Sequence, residues 1–323
     1  MTDRNKSLSF VLPLALQGTG RDHHDLGRAH LLLRSLERQL QSSDIREVLV
    51  VTRDDEASLI QERLKRSHPG LPLQFLRETL LCPLFAENPL TVNLWPRRNT
   101  GWFRQQLIKL AAYQHVTSEF YMVLDADVIF VRPFRGHDLI LGKQALFGTI
   151  TADALRRLFL DEVADHEINV RRHRIGQAES VLALKRPEAH QGYFYSETPV
   201  VLSTHIVAAM ASHLEHTWHN EWQRVLIDNL PWTEFNLYGV FAEASAMLDK
   251  HHIIGGLDTV LRLSKSLWRQ ASDYREPMDL DRWDVEAAFA ADAQGIAIVV
   301  QSYLGYTADA VMEKASRCFA EGQ

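Results

Sequence analysis

The chain has 323 residues, 46% hydrophobic and 24% charged, with a formal net charge of −6. That length serves one large domain or two small ones, the composition is ordinary for a soluble globular enzyme, and the acidic balance argues against a nucleic-acid binder, which would carry a basic face. Two cysteines, Cys82 and Cys318, without C-x-x-C spacing exclude a disulfide framework or a cysteine zinc site and fit a reducing compartment.

The first residues, MTDRNKSLSFVLPLAL, offer too short an apolar run for a signal peptide. No run approaches the length of a membrane span. The expectation is a cytoplasmic protein, compatible with peripheral attachment at an inner membrane. Leu8 to Leu16 is nearly continuous in apolar residues and predicts a buried parallel strand. Gln17-Gly18-Thr19-Gly20 breaks it. Leu26, Ala29, Leu33, Leu36 and Leu40 then recur at helical spacing. Glu47 to Thr52 predicts a second buried strand, closed by Arg53-Asp54-Asp55. A polar helix from about Asp55 to Ser67 stops at His68-Pro69-Gly70, and Leu71 to Leu76 predicts a third strand. This β-α-β-α-β rhythm is that of an open, mostly parallel α/β sheet flanked by helices, with ligands at the carboxyl ends of its strands.

Leu81 to Thr100, with Pro83, Pro89 and Pro96, reads as irregular connection. Gly101 to Phe134 is the most informative stretch. It opens as a helix with Phe103, Leu107, Leu110 and Ala111 on one stripe and Trp102, Gln106, Lys109 and Tyr113 on another. It becomes a strand, Phe120 to Leu124, that Val128 to Val131 continues. Asp125 and Asp127 interrupt this apolar run. At i and i+2 of an extended segment they point the same way and can hold one hard divalent cation. Unpaired acids in such a run would be costly to bury.

Beyond Gly136 the pattern is harder to parse. Arg171 to Arg174 is a dense basic cluster that reads as a solvated loop or as a contact for phosphate or an acidic glycan. Tyr193 to Ser203 predicts a strand interrupted at Pro199. Thr204 to Trp218 and Pro231 to Lys250 predict helices, the second capped by Thr233. His251 to Ile254 predicts a short strand, Trp283 to Ala293 a helix, Ile296 to Ser302 a last strand and Ala308 to Phe319 a last helix. The whole reads as one domain, residues 1–135 forming a nucleotide-binding half and 136–323 an acceptor-binding half.

The run WFRQQLIKL…FYMVLDADVIFVRPF resembles the nucleotide-sugar-dependent glycosyltransferases of the GT-A (Rossmann-like) fold, in particular bacterial glycosyltransferase-like proteins of polysaccharide biosynthesis with a D-x-D motif. The resemblance is carried by Gly101 to Phe134, with support from the first two β-α units and Trp232 to Phe241. It implies a Mn²⁺ or Mg²⁺ ion on Asp125 and Asp127, bridged to the diphosphate of a nucleotide-sugar donor, with Ala126 beside it. It implies that Arg104 and Lys109 reach the donor, and that Leu16, Gln17 and Asp54 contact base and ribose. His252, or its neighbour His251, is the implied third metal ligand. Glu234, in Trp232-Thr-Glu, stands where inverting members keep a general base, and Glu197 where donor and acceptor meet. The acceptor would be a glycan or lipid-linked. Trp232, Tyr193, Tyr195 and Tyr238 suit either sugar stacking or the core. The sequence leaves open a sugar nucleotidylyltransferase, from the faint glycine-rich pattern at Leu16 to Arg21, a non-catalytic nucleotide-sugar-binding module, and a nucleotide-sugar hydrolase.

Overall fold

Every side chain of Leu8–Leu14 (β1) is buried, which is why the run is continuously apolar rather than alternating. The computed structural model describes residues 8–16, 24–87 and 100–320. β1 leads to helix α1, His24–Gln39, then β2, Ile45–Thr52, helix α2, Ala57–Ser67, and β3, Leu73–Arg77. Helix α3, Thr100–Ala111, precedes β4, Phe120–Val123. These strands form one sheet in the order β3-β2-β1-β4, all parallel, extended by an antiparallel β9, Val200–Ser203. The chain winds outward from β1 to β3 and then returns to the other side of β1 as β4. Strand order therefore reverses between β1 and β4, and such a switch point opens a crevice at the strands' carboxyl ends. The mixed α/β sheet flanked by helices is the fold class expected.

Val128–Phe130 (β5) does not continue β4 as the sequence predicted. It leaves the main sheet and pairs antiparallel with Ala297–Val299 (β11). The apolar character of both segments concealed the change of sheet. β5 and β11 build a second apolar cluster in which Ile129, Val131 and Ile298 meet Leu31 of α1 and Val311 of the last helix, α7, Ala308–Ala320. A third sheet runs β10-β7-β6, from His252–Gly255 (β10), Gln144–Ile150 (β7) and Ile140–Leu141 (β6), with Phe194–Tyr195 (β8) on the far end of β7.

Four further expectations are revised. The connection after β3 begins with two single-turn helices, Glu78–Leu81 and Leu84–Glu87. The arginine cluster lies not in a loop but in α4, Asp161–Leu182, a 22-residue helix. The predicted helix at Trp283 to Ala293 contracts to Val285–Phe289, whose start is fixed by Asp284 accepting from Ala287 N. Thr204–Trp218 (α5) agrees with its prediction, while the stretch from Pro231 divides into Glu234–Ala244 (α6) and Leu248–His251. Among the described residues, no helix is long and apolar enough to cross a membrane.

Candidate active site

Asp125 and Asp127 sit where β4 ends at the switch point, in a turn closed by Val128 N donating to Asp125 O at 3.1 Å. The segment is a turn rather than an extended strand, so the two carboxylates do not share one set of neighbours. Asp125 faces α3. Its Oδ1 accepts from Gln105 Nε2 and lies 2.6 Å from Lys109 Nζ. Gln105 and Lys109 are four residues apart on that helix, which places both on one face. The same ammonium donates to Glu234 Oε1 at 2.9 Å, while Glu234 N donates to Gln106 Oε1 at 3.2 Å. Three segments distant in sequence thus converge on one buried cation. Burial opposes the charge on Lys109, but Asp125 and Glu234 outweigh it and raise its pKa. Burial raises the Glu234 carboxyl against the pull of Lys109.

Asp127 faces the other way. Its Oδ2 accepts from Ser302 N at 3.2 Å, and Oδ1 is buried with no hydrogen-bond partner among the described residues. Burial and the neighbouring Asp125 charge push its carboxyl up to about 7, against the opposing effect of Arg28. Arg28 is buried on α1 and donates to Val300 O at 2.7 Å and to Tyr306 O. Arg28, Ala126 and Asp127 line one small cavity with Val300, Ala308 and Val311. Ala126, expected beside the donor, is thereby placed next to the orphaned oxygen. A buried acceptor without a donor is unusual and expensive. Carboxylate oxygens are hard donors, the chemistry that suits Mg²⁺ or Mn²⁺, and the unpartnered one belongs to Asp127.

Other expected residues divide. Leu16 stands at the carboxyl end of β1, with its amide donating to Glu56 Oε2 at 2.7 Å. Glu56, not Asp54, is the acid that reaches this loop. Asp54 is exposed and accepts from Thr79 Oγ1 at 2.7 Å. Gln17 lies outside the described residues. Arg104 is turned to Glu78, in a bidentate pair, and stacks 4.3 Å from the Phe85 ring centroid.

His252 does not serve as a metal ligand in this arrangement. It is 2% exposed, its Nδ1 lies 3.2 Å from Ala145 O and its Nε2 2.5 Å from Tyr238 OH. Both nitrogens are engaged, and burial lowers its pKa to about 3. Glu197 is ion-paired to Arg174 at 3.2 Å and Arg171 at 3.5 Å, both reaching across from α4. Neither Glu234 nor Glu197 is presented as an unengaged base. Trp232, Tyr195 and Tyr238 are core residues, and Tyr193 OH donates to Glu243 Oε1 at 2.9 Å. Gln105, Arg28 and Glu56 were not singled out from the sequence. For Gln105 a signal existed in its i, i+4 spacing to Lys109; for Arg28 and Glu56 only the tertiary structure reveals the role.

Residues 5–323 match the model of a family described as "Family of unknown function (DUF6492)". The chain belongs to that family. No curated protein matches the sequence. Among solved structures, mouse xyloside xylosyltransferase 1 in its apo form superposes with a TM-score of 0.50 at 14% identity, over 93% of this chain and 99% of that one. Galactosyltransferase LgtC, in complex with donor and acceptor sugar analogs, gives a TM-score of 0.47 at 12% identity, over 96% of each chain. The apo bifunctional glycosyltransferase WbbM gives 0.49 at 12% identity, over 97% of this chain and 51% of that one. At such identities the xylosyltransferase likeness establishes the fold: this family member has the GT-A architecture expected from its sequence.

Proposed function

We propose that the chain is a metal-dependent glycosyltransferase that moves a sugar from a nucleoside diphosphate to a glycan or lipid-linked acceptor. The observation that carries this reading is the orphaned, buried Asp127 Oδ1 beside Asp125, at the switch point of a GT-A sheet. Asp125 and Asp127 would hold Mn²⁺ or Mg²⁺, with Ala126 between them. When bound, such a cation supplies Lewis-acid stabilisation to a diphosphate leaving group.

The residues of this chain do the rest. Lys109 fixes Asp125 through a 2.6 Å contact and is itself held by Glu234. We assign Glu234 a positioning role on that ground, since its carboxylate is 4% exposed and engaged by Lys109. Glu56 anchors the amide of Leu16 at the end of β1, where a nucleotide base would lie against the crevice. Residues 1–135 serve the donor and 136–323 the acceptor in this reading. The resemblance of Gly101 to Phe134 to polysaccharide-biosynthesis enzymes supports a surface-glycan acceptor.

A thermal-shift panel of UDP-, GDP- and dTDP-linked sugars, each with and without Mn²⁺, tests the proposal. Ligands that bind only the folded state raise the melting temperature. The expected result is a shift with one nucleotide class that needs Mn²⁺. Shifts with none of the panel, or shifts indifferent to the metal, would count against it.

A further inference from the structure

At the opposite end of β4 from the two aspartates, three ligand-type side chains from three segments converge. Glu119 immediately precedes β4, His205 lies in the first turn of α5, and His251 closes the helix Leu248–His251 just before β10. One ligand atom from each lies within 4.8 Å of the other two. The two imidazole centroids are 5.7 Å apart with the rings nearly perpendicular, at 88°. Asp125 lies six positions after Glu119, so along an extended strand the group stands on the order of 20 Å from the two aspartates.

The positions are fixed from beneath. Ser203 is fully buried, and its Oγ lies 3.2 Å from His251 Nδ1. With Nδ1–H donating to that oxygen, the lone pair of His251 is left on Nε2, the arrangement that orients ligating histidines in metal sites. Glu119 O accepts from both Thr204 N and Thr204 Oγ1 at 3.0 Å, tying the carboxylate's backbone to the turn that carries His205. Glu119 and His205 are exposed and His251 half-buried. Tetrahedral coordination at about 2.1 Å puts ligand atoms about 3.4 Å apart. Rotation of two exposed side chains is enough to close the gap.

We propose that Glu119, His205 and His251 bind a borderline divalent transition metal of the zinc class, in a site separate from Asp125 and Asp127. Two imidazoles and one carboxylate select zinc-like ions over Mg²⁺ or Ca²⁺. Three protein ligands leave a fourth position open to water, as in sites that are not closed structural centres. The bound ion clips the head of β4 to α5 and to the start of β10.

The test is calorimetric titration of Zn²⁺ into the untagged, chelator-stripped full chain, with Co²⁺ absorption as a second readout. One equivalent is expected to bind and to give the intense visible bands of a tetrahedral Co²⁺ site. His205→Ala and Glu119→Gln, both at exposed positions, should abolish that equivalent while leaving the apo melting temperature in place. Ser203→Ala should weaken it on the order of tenfold. Asp125→Asn/Asp127→Asn should retain it. Absence of binding, binding unaffected by both His205→Ala and Glu119→Gln, or loss of the equivalent in the aspartate variant instead would overturn the assignment.

Discussion

Lys109 is the residue on which the candidate active site depends for its charge balance. Its ammonium lies 2.6 Å from Asp125 and 2.9 Å from Glu234, with 3% of the side chain exposed. Removing one partner of a buried ion pair leaves the other charge desolvated and costs about 3–5 kcal/mol. Lys109→Met should therefore lower urea-denaturation stability by about that amount, and adding Glu234→Gln should recover part of it. A loss below about 1 kcal/mol, the value of a surface pair, would show that the triad is not buried as described. Glu167 makes a second case, outside the site. Burial raises its carboxyl pKa, but Arg171 and Arg269 outweigh that and hold it below the usual range. A carboxylate with a depressed folded pKa contributes stability that is present above its unfolded value, near 4.3, and lost as pH falls through the folded value. Glu167→Gln should thus be destabilised relative to wild type at pH 7, with the difference shrinking as pH drops below about 4. A difference constant with pH, followed by denaturation at several pH values, would exclude the ion-pair account.

At the scale of elements, α6 reaches its neighbours through a glycine. A Cβ on Gly239 would stand 2.4 to 2.7 Å from ring atoms of Tyr195. That ring is backed by Arg186, 4.8 Å from its centroid, and Arg186 is paired with Glu243 of the same helix. The ring has little room to yield, so Gly239→Ala should cost about 1–3 kcal/mol through overpacking. An unchanged melting temperature would contradict this packing. The elements also differ in how plainly their sequences announce them. β1, α1 and β2 were legible because each buries an uninterrupted run or a single stripe of apolar residues. α4 was not, because the face it buries includes Glu167, Arg171 and Arg174. Their burial depends on partners contributed by Glu197 and Arg269, which no local pattern reveals. β5 was misplaced for the opposite reason: it is as apolar as β4, and hydrophobicity does not say which sheet a strand joins. The acids between them were recognised, but their geometry was read as a strand when it is a corner. His252 shows the limit for single residues, since a core histidine and a ligand look alike until Tyr238 and Ala145 are seen to occupy its nitrogens.

For the whole molecule, the two halves of the chain are joined through shared structure. β9 from the second half completes the main sheet beside β4, β11 pairs with β5, and Glu234 meets Lys109 across 125 residues of sequence. The consequence is a candidate site whose two aspartates and Lys109 come from the first half and whose Glu234 comes from the second, with Asp127 Oδ1 buried and without a hydrogen-bond partner among the described residues. In the function proposed above, this oxygen and Asp125 serve a divalent cation that holds a nucleotide sugar. The most direct measurement is isothermal titration of the nucleotide sugar selected by the thermal-shift panel, into wild type and into Asp125→Asn/Asp127→Asn, each with Mn²⁺ and with chelator. Wild type is expected to bind the donor only with Mn²⁺, and the variant, folded by circular dichroism, to bind it under neither condition. Equal donor affinity in wild type and variant, or affinity untouched by removal of the metal, would contradict it.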